Sequence, residues 1–347
     1  FYRYSCPDCK TELVLPFSCK SRLCLSCSRK KLFGWSVNLS QILDSNLSHD
    51  HITFTIPGKI QRLLFERGFQ EVALNKLATI LYQKEIRSTC GLNKNEELEW
   101  KAGILTTIHK SGNSLNYNPH LHMIATRDLV NIKTGELSER KFIAYGRFRI
   151  LWREALLKFL RRQKILTREE EVSFRNLYKK GFHVYFQPIT GTETDILFRT
   201  AEYMATGFFH NSQILHVDHE KLKITFQYRS WMEPGSRKKR YSILTMDLYE
   251  FMARMLFYLP DSHQKSIRYY GLYASAHRKN RLELDRRACS WSSGIENSFE
   301  KTPEFCPDCG REMNFSIIYS FQAGRVFRNI RKNFVLQKGY FRPVRGP

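Results

Sequence analysis

Six of the nine cysteines fall into three Cys-x-x-Cys pairs, Cys6/Cys9, Cys24/Cys27 and Cys306/Cys309. An odd total with this local pairing reads as zinc knuckles in a reducing compartment, not as a disulfide framework. Each Cys-x-x-Cys turn points two thiolates at one ion. Two such turns fifteen residues apart, ending at Cys9 and beginning at Cys24, complete the tetrahedral sulfur cage that zinc prefers. The expectation is therefore an N-terminal zinc ribbon over residues 1–35, with Cys6, Cys9, Cys24 and Cys27 as ligands of a structural Zn²⁺. Cys19, in Ser18-Cys19-Lys20-Ser21-Arg22, is an alternative fourth ligand, or the partner of a ligand upstream of Phe1. Cys306-Pro307-Asp308-Cys309-Gly310 is a single knuckle and a candidate second zinc site, for which Cys289 and His277 are candidate partners. Cys90, in a Thr-Cys-Gly turn, reads as structural.

Charge narrows the partners. Lys and Arg number 56 against 33 Asp and Glu in 347 residues, a formal balance of +23. Such an excess repels itself unless a polyanion neutralises it, and nucleic acid is the commonest one. No apolar run approaches the ~18 residues that span a bilayer; the longest, around Phe251 to Leu259, is cut by Arg254. Neither a dinucleotide-binding nor a phosphate-binding glycine motif occurs, so no nucleotide cofactor is expected. No signal peptide is evident, and a chain that opens at Phe1 without Met is expected to continue upstream.

Periodicity gives the elements. Lys30 to Ser45 reads as a short basic helix, His51 to Ile56 as a strand stopped by Pro57-Gly58, and Ile60 to Ile86 as one long amphipathic helix. Its expected buried stripe is Leu63, Leu64, Phe69, Val72, Leu77, Ile80 and Leu81. Strands follow at 103–108 and 120–126, separated by a polar turn. Helices follow at 150–160 and 168–178, then a strand at 182–186 and a helix at 195–206. A strand pair at 224–228 and 241–246 precedes a helix at 248–258. This mixture implies an α+β fold with an antiparallel sheet and flanking helices.

The chemistry concentrates in Asn118-Pro119-His120-Leu121-His122. Period-2 alternation places His120 and His122 on one face of a strand, a geometry for two neutral nitrogen ligands on one divalent ion. His109 ends the preceding strand, and a hairpin brings it beside the pair as a third ligand. Such an ion would polarise a phosphodiester as a Lewis acid. A nucleophile is then needed, and Tyr203 on the helix 195–206 is the candidate. It shares a helical face with Ile196, Thr200 and Gly207, so half-buried packing is the alternative role. Tyr269 and Tyr270, in Arg268-Tyr269-Tyr270-Gly271 within a stretch read as irregular, form the rival cluster.

The ribbon ending in Phe17-Ser18-Cys19-Lys20-Ser21-Arg22-Leu23-Cys24-Leu25-Ser26-Cys27, the strand ending Phe54-Thr55-Ile56-Pro57, and Asn118-Pro119-His120-Leu121-His122 together resemble the transposases of rolling-circle insertion sequences. These are the IS-ninety-one type and the related common-region elements, members of the HUH (His-hydrophobe-His) endonucleases. The resemblance runs on through Glu202-Tyr203, Ser212-Gln213-Ile214, the strand 224–228 and Ile267 to Gly271. His109 also matches the third metal-binding histidine of relaxases.

The resemblance implies an HUH nuclease core over residues 36–215, an accessory strand-helix region over 216–280 that completes it, and a basic C-terminal region with its knuckle over 281–347. It implies a DNA transposase that nicks single-stranded DNA with Tyr203 through a 5′-phosphotyrosine, using Mg²⁺ or Mn²⁺ held by His120, His122 and His109, and that joins strands without ATP. Arg22, Lys30, Lys31 and Arg199 are the candidate DNA contacts. The expected partners are single-stranded or hairpin DNA at the element ends and target DNA, in a bacterial cytoplasm near the nucleoid. A plasmid replication initiator or relaxase shares the chemistry, and a non-catalytic zinc-ribbon DNA-binding regulator is the alternative from another class. Many relatives carry two tyrosines four apart. Here Arg199 takes the first position if Tyr203 is the second, or Gly207 the second if Tyr203 is the first.

Overall fold

A computed structural model of the chain describes residues 2–15, 35, 39, 42–44, 46–92, 98–140, 142–190, 199–200, 209, 211–232, 239–259, 265–283, 306, 308–319, 326–328, 334–337 and 340–343. The chain divides into two compact units, one of residues 1–27 with 291–347 and the other of residues 28–290. The first unit joins most of the expected N-terminal region, 1–35, with most of the expected C-terminal region, 281–347.

In chain order the elements begin with β1 (Tyr2–Ser5), β2 (Glu12–Leu15) and β3 (His49–Phe54). Then come α1 (Gly58–Glu66), α2 (Ala73–Cys90), β4 (Trp100–Lys101), β5 (Gly103–Ser111) and β6 (Tyr117–Thr126). After β7 (Leu129–Asn131) and β8 (Leu137–Ser138) follow α3 (Tyr145–Arg162), α4 (Arg168–Leu177) and β9 (Val184–Ile189). The second half holds β10 (Ile214–Asp218), β11 (Lys223–Trp231), β12 (Lys239–Asp247), α5 (Leu248–Phe257), β13 (Ile267–Gly271) and α6 (Arg278–Glu283). β14 (Asn314–Tyr319) and β15 (Val326–Arg328) belong to the terminal unit, as does a hairpin of Phe334–Gln337 with Tyr340–Pro343.

The larger unit is organised by a five-stranded sheet in the order β13-β5-β6-β3-β9, every pair antiparallel. Alternation along β6 separates its two faces. Leu121, Met123 and Ala125 point into the core with Ile52 and Phe54 of β3 and Ile104 of β5, while His120 and His122 take the opposite face. The core is closed by the helices: Leu64 of α1, Leu74, Ala78, Tyr82 and Ile86 of α2, and Phe148, Trp152, Leu156 and Leu160 of α3. Trp152 is fully buried and its indole N–H donates to the Thr55 carbonyl at 2.9 Å, which satisfies the one polar atom it brings inside. Burying each of these large side chains contributes about 1.5–3 kcal/mol, and the sum clamps the back of the sheet so that its histidine face is a rigid platform.

Two expectations change. The single helix expected over 60–86 is two, α1 and α2, because the chain turns at Gly68, whose φ of +61° lies in the left-handed region that glycine tolerates. The stripe shifts with it: Ile80 is exposed, and Tyr82 and Ile86 are buried instead. Tyr269 and Tyr270 lie on a regular strand, not in an irregular stretch, since β13 pairs with β5 over five residues as the edge of the central sheet. Their side chains therefore take opposite faces, Tyr270 against the core and Tyr269 on the histidine side. The helix expected at 195–206 is described only at Arg199 and Thr200, both helical.

Candidate metal centre

The hairpin of β5 and β6 sets His109 directly across from His120, and Thr107 across from His122. Because the register is antiparallel and the side-chain period is two, His109, His120 and His122 emerge on one face. One nitrogen from each lies within 4.8 Å of the others. Ring centroids are 4.5 Å apart for His109 and His122, 4.9 Å for His120 and His122, and 5.6 Å for His109 and His120. Three nitrogens bound at about 2.1 Å to one ion stand about 3 to 3.4 Å apart, so modest ring rotations close the set.

Hydrogen bonds fix which nitrogens face outward. The Nδ1 of His120 lies 2.7 Å from the Asn118 carbonyl oxygen, so Nδ1 carries the proton and Nε2 is left with its lone pair. Asn118 is itself held, since the Gln61 amide donates to its side-chain oxygen at 2.7 Å and to the Ile56 carbonyl at 2.6 Å. The Nδ1 of His122 is engaged by the Nε2 of His51 at 2.8 Å, with the two rings stacked 5.0 Å apart at 11°. When His122 ligates through Nε2, its Nδ1–H donates to His51, a second layer that orients the ligand and raises its basicity.

Electrostatics favours the neutral, ligand-competent form throughout. Burial is the main cause of every shift. It brings His109 down to about 3, with His120 and His51 as further positive neighbours, and His51 down to about 4, with His120 contributing. His122 is held well below its ordinary range by burial and then by His109, His120 and His51. His120 is lowered by burial and partly restored by its bond to the Asn118 backbone.

His51 is the neighbour of the histidine group that motif reading missed. The signal was present, for His49-Asp50-His51 repeats the His-x-His pattern one strand away. What differs is the partner: His49 is fully buried, stacks on Tyr273 and engages its hydroxyl at 2.6 Å. Asp50 points to the other face and pairs with Arg127 and Arg140 at 2.9 and 3.1 Å.

Tyr269, the rival nucleophile, pairs with Leu105, four residues along β5 from His109, a separation of about 13 Å at about 3.3 Å per residue. Its hydroxyl accepts from the Trp35 indole at 2.9 Å, and burial raises its pKa. Tyr203, Arg22, Lys30, Lys31, Cys19, Cys24, Cys27 and Cys289 lie outside the described residues, and Arg199 is exposed.

Of the four expected ribbon ligands, Cys6 and Cys9 are among the described residues. Among the described residues, Cys6 and Cys9 meet Cys306 and Cys309, all four sulfurs within 4.8 Å. The reason is sheet pairing: β14 lies antiparallel to β1 and carries the C-terminal knuckle to the first one. The group contains no histidine, and His277, a candidate partner of Cys306, sits in the turn Ser275–His277 of the other unit. Thr11, through its hydroxyl and backbone, and then the Cys306 and Cys6 thiols bring Cys9 down to about 6, which favours the thiolate. Cys90, by contrast, donates to the Ser138 carbonyl at 3.5 Å, as a structural residue should.

Comparison with known proteins adds family information. The family described as "Putative transposase" matches residues 103–281, just over half the chain, and "Transposase zinc-binding domain" matches residues 1–56. The transposase for insertion sequence element IS801 of Pseudomonas savastanoi pv. phaseolicola is 24% identical over 294 residues, 78% of this chain and 64% of that protein. The "Putative transposase y4qJ" of Sinorhizobium fredii is 23% identical over 300 residues, 80% of this chain and 71% of that protein. The chain thus spans just under two thirds of the first relative's length. No solved structure matches. No helix among the described residues is long and apolar enough to cross a membrane.

Proposed function

Since the chain belongs to the transposase family matched across β5, β6 and the elements that follow, we propose that its histidine face is the divalent-metal centre of an HUH-type single-strand DNA nickase and strand transferase. One observation carries the reading: three neutral imidazoles from the adjacent strands β5 and β6 converge on one face of an antiparallel sheet, two of them with Nδ1 already engaged so that Nε2 is the free nitrogen. A divalent ion bound there, Mg²⁺ or Mn²⁺, supplies Lewis acidity to a phosphate oxygen.

The remaining steps belong to the chain. Basic residues, with Arg22, Lys30, Lys31 and Arg199 as candidates, draw in single-stranded or hairpin DNA through its phosphates. Tyr203 attacks the phosphorus through its hydroxyl oxygen, the bond to the 3′ oxygen breaks, and the tyrosine proton ends on the departing 3′-OH. Attack by a new 3′-OH on the phosphotyrosine reverses the step and joins strands without ATP. With Tyr203 as the lone nucleophile, the chain transfers its strand by sequential cleavages, the alternative being two protomers that contribute one Tyr203 each.

Incubation of the full chain with an end-labelled single-stranded oligonucleotide and Mn²⁺ tests this. The expected result is a denaturant-stable protein–DNA adduct that disappears on chelation and in Tyr203→Phe. A chain that binds the oligonucleotide yet forms no adduct under any divalent ion would make it a non-catalytic DNA-binding protein.

A further inference from the structure

We propose that the two ends of this chain build one split zinc ribbon, in which a single ion is held by Cys6 and Cys9 from the N terminus and by Cys306 and Cys309 from the C terminus. The zinc-binding domain matched over residues 1–56 is then closed by a knuckle some three hundred residues away. The proposal is independent of the histidine face and needs no nuclease activity.

The two knuckles are copies of one another. Each has the sequence Cys-Pro-Asp-Cys, at 6–9 and 306–309. In each, the first cysteine's N–H donates to the carbonyl five residues on, Cys6 to Thr11 at 2.9 Å and Cys306 to Arg311 at 2.7 Å. In each, the residue after the second cysteine takes a left-handed backbone, Lys10 at φ +59° and Gly310 at φ +72°. Lysine accepts that conformation at a cost that glycine avoids, so the turn at Lys10 is imposed by what it must hold. Cys6 and Cys306 are buried while Cys9 and Cys309 are exposed, and Tyr4 and Met313 complete a small core around the inner pair.

The copies also exchange contacts as a two-fold pair would. The Thr11 hydroxyl, five residues after Cys6, donates to Asp308 at 2.6 Å, and Arg311, five residues after Cys306, pairs with Asp8 at 2.7 Å. Their strands form one sheet in the order β15-β14-β1-β2, so the N-terminal strand lies between its own hairpin partner and a C-terminal strand.

The sulfurs are placed for an ion, not for a disulfide. Cys6 and Cys309 are 3.5 Å apart, Cys9 and Cys306 3.3 Å, and Cys9 and Cys309 3.6 Å. A disulfide needs about 2.05 Å and joins sulfurs only in pairs, whereas four thiolates about 2.3 Å from one zinc stand about 3.8 Å from each other. Cys24 and Cys27 are then released from this cage.

The test is zinc content of the purified full chain by mass spectrometry of the metal. Relative to wild type, Cys6→Ser with Cys9→Ser should lose one zinc per chain, as should Cys306→Ser with Cys309→Ser. The combined fourfold variant should also lose one, since all four serve the same ion. A fourfold variant that loses two equivalents, or a Cys306/Cys309 pair variant that keeps the wild-type zinc content, overturns the proposal. Should a serine variant fail to fold, Cys306→His keeps a ligand: in the cobalt-substituted chain its thiolate charge-transfer absorption should fall by about a quarter of this site's intensity, one thiolate in four. An unchanged cobalt spectrum in Cys306→His would equally overturn it.

Discussion

The histidine face and the cysteine cluster are both groups of side chains that could hold a metal ion, and they are assembled in opposite ways. His109, His120 and His122 come from two neighbouring strands of one hairpin, on a sheet whose other side is clamped by α1, α2 and α3. The platform exists because of the core, and the ligands merely decorate it. Cys6, Cys9, Cys306 and Cys309 come from segments 297 to 303 residues apart, with Tyr4 and Met313 buried beside Cys6 and Cys306 among the described residues. An ion held by four thiolates would contribute folding energy there directly. A catalytic site keeps open positions on a rigid support, whereas a structural site closes all four positions and is itself the support.

The sharpest way to break this contrast is to remove one ligand from each side. Cys306→Ser should unfold the terminal unit, because structural zinc contributes on the order of 10 kcal/mol or more of apparent binding energy to small domains. Hydrogen exchange over residues 2–15 and 308–319 should rise to the unfolded rate while the central sheet stays protected. His122→Ala should do the reverse. It should change the melting stability of the central unit by about 1 kcal/mol or less and depress nicking on the order of 10²- to 10³-fold or more, as loss of transition-state charge stabilisation does. A cooperative melt reported by Trp152 would show which behaviour each variant has.

His51→Leu sharpens the comparison within the histidine face. It keeps all three ligands but removes the acceptor for the His122 Nδ1–H, and should weaken Mn²⁺ binding about 10- to 100-fold by calorimetry or electron paramagnetic resonance. His51→Gln, which retains an acceptor, should recover part of the loss.

Acid gives a smaller, graded effect. His49 and His51 are held near 4 and His109 near 3, chiefly by burial, against an unfolded value near 6.5. Folded-state values are depressed, so between about pH 6.5 and 4 the unfolded chain binds more protons. The stabilisation these residues contribute is complete above pH 6.5 and is lost as pH falls through that window. The melting temperature of the metal-free central unit should drop over it, and His49→Gln should flatten the drop. The smallest expected effect is that of Tyr269→Phe, which forfeits one hydrogen bond from Trp35, about 1 kcal/mol, and leaves nicking intact.

How much of this was legible depended on the distance between partners in sequence. The His120/His122 alternation and the reach of His109 across a hairpin follow from strand period and a short turn, and both can be read from residues 103–126. The orientation of His122 by His51 depends on β3 pairing with β6, where Thr53 faces His122; the second His-x-His at 49–51 was visible, but the strand it would face was not. The meeting of Cys6 and Cys9 with Cys306 and Cys309 was hidden for the same reason. Spacing alone favoured Cys24 and Cys27, fifteen residues on, over a pair at the far end of the chain. Helix α2 was legible as a helix, and of its expected stripe Leu81 is buried and Leu77 packs against the core, while Ile80 is exposed. Tyr269-Tyr270 looked irregular because Ile267-Arg268-Tyr269-Tyr270-Gly271 is a short edge strand without the apolar–polar alternation that marks a strand.

If the histidine face serves Tyr203 as the nucleophile, the phosphotyrosine must form on that residue and depend on the histidines. The direct measurement is to trap the adduct between the full chain and a single-stranded oligonucleotide in Mn²⁺, digest both components, and sequence the nucleotide-bearing peptide by mass spectrometry. The account predicts one modified residue, Tyr203, in wild type, and no modified peptide in His122→Ala. A nucleotide found on Tyr269 or Tyr270, or an adduct undiminished in His122→Ala, would contradict it.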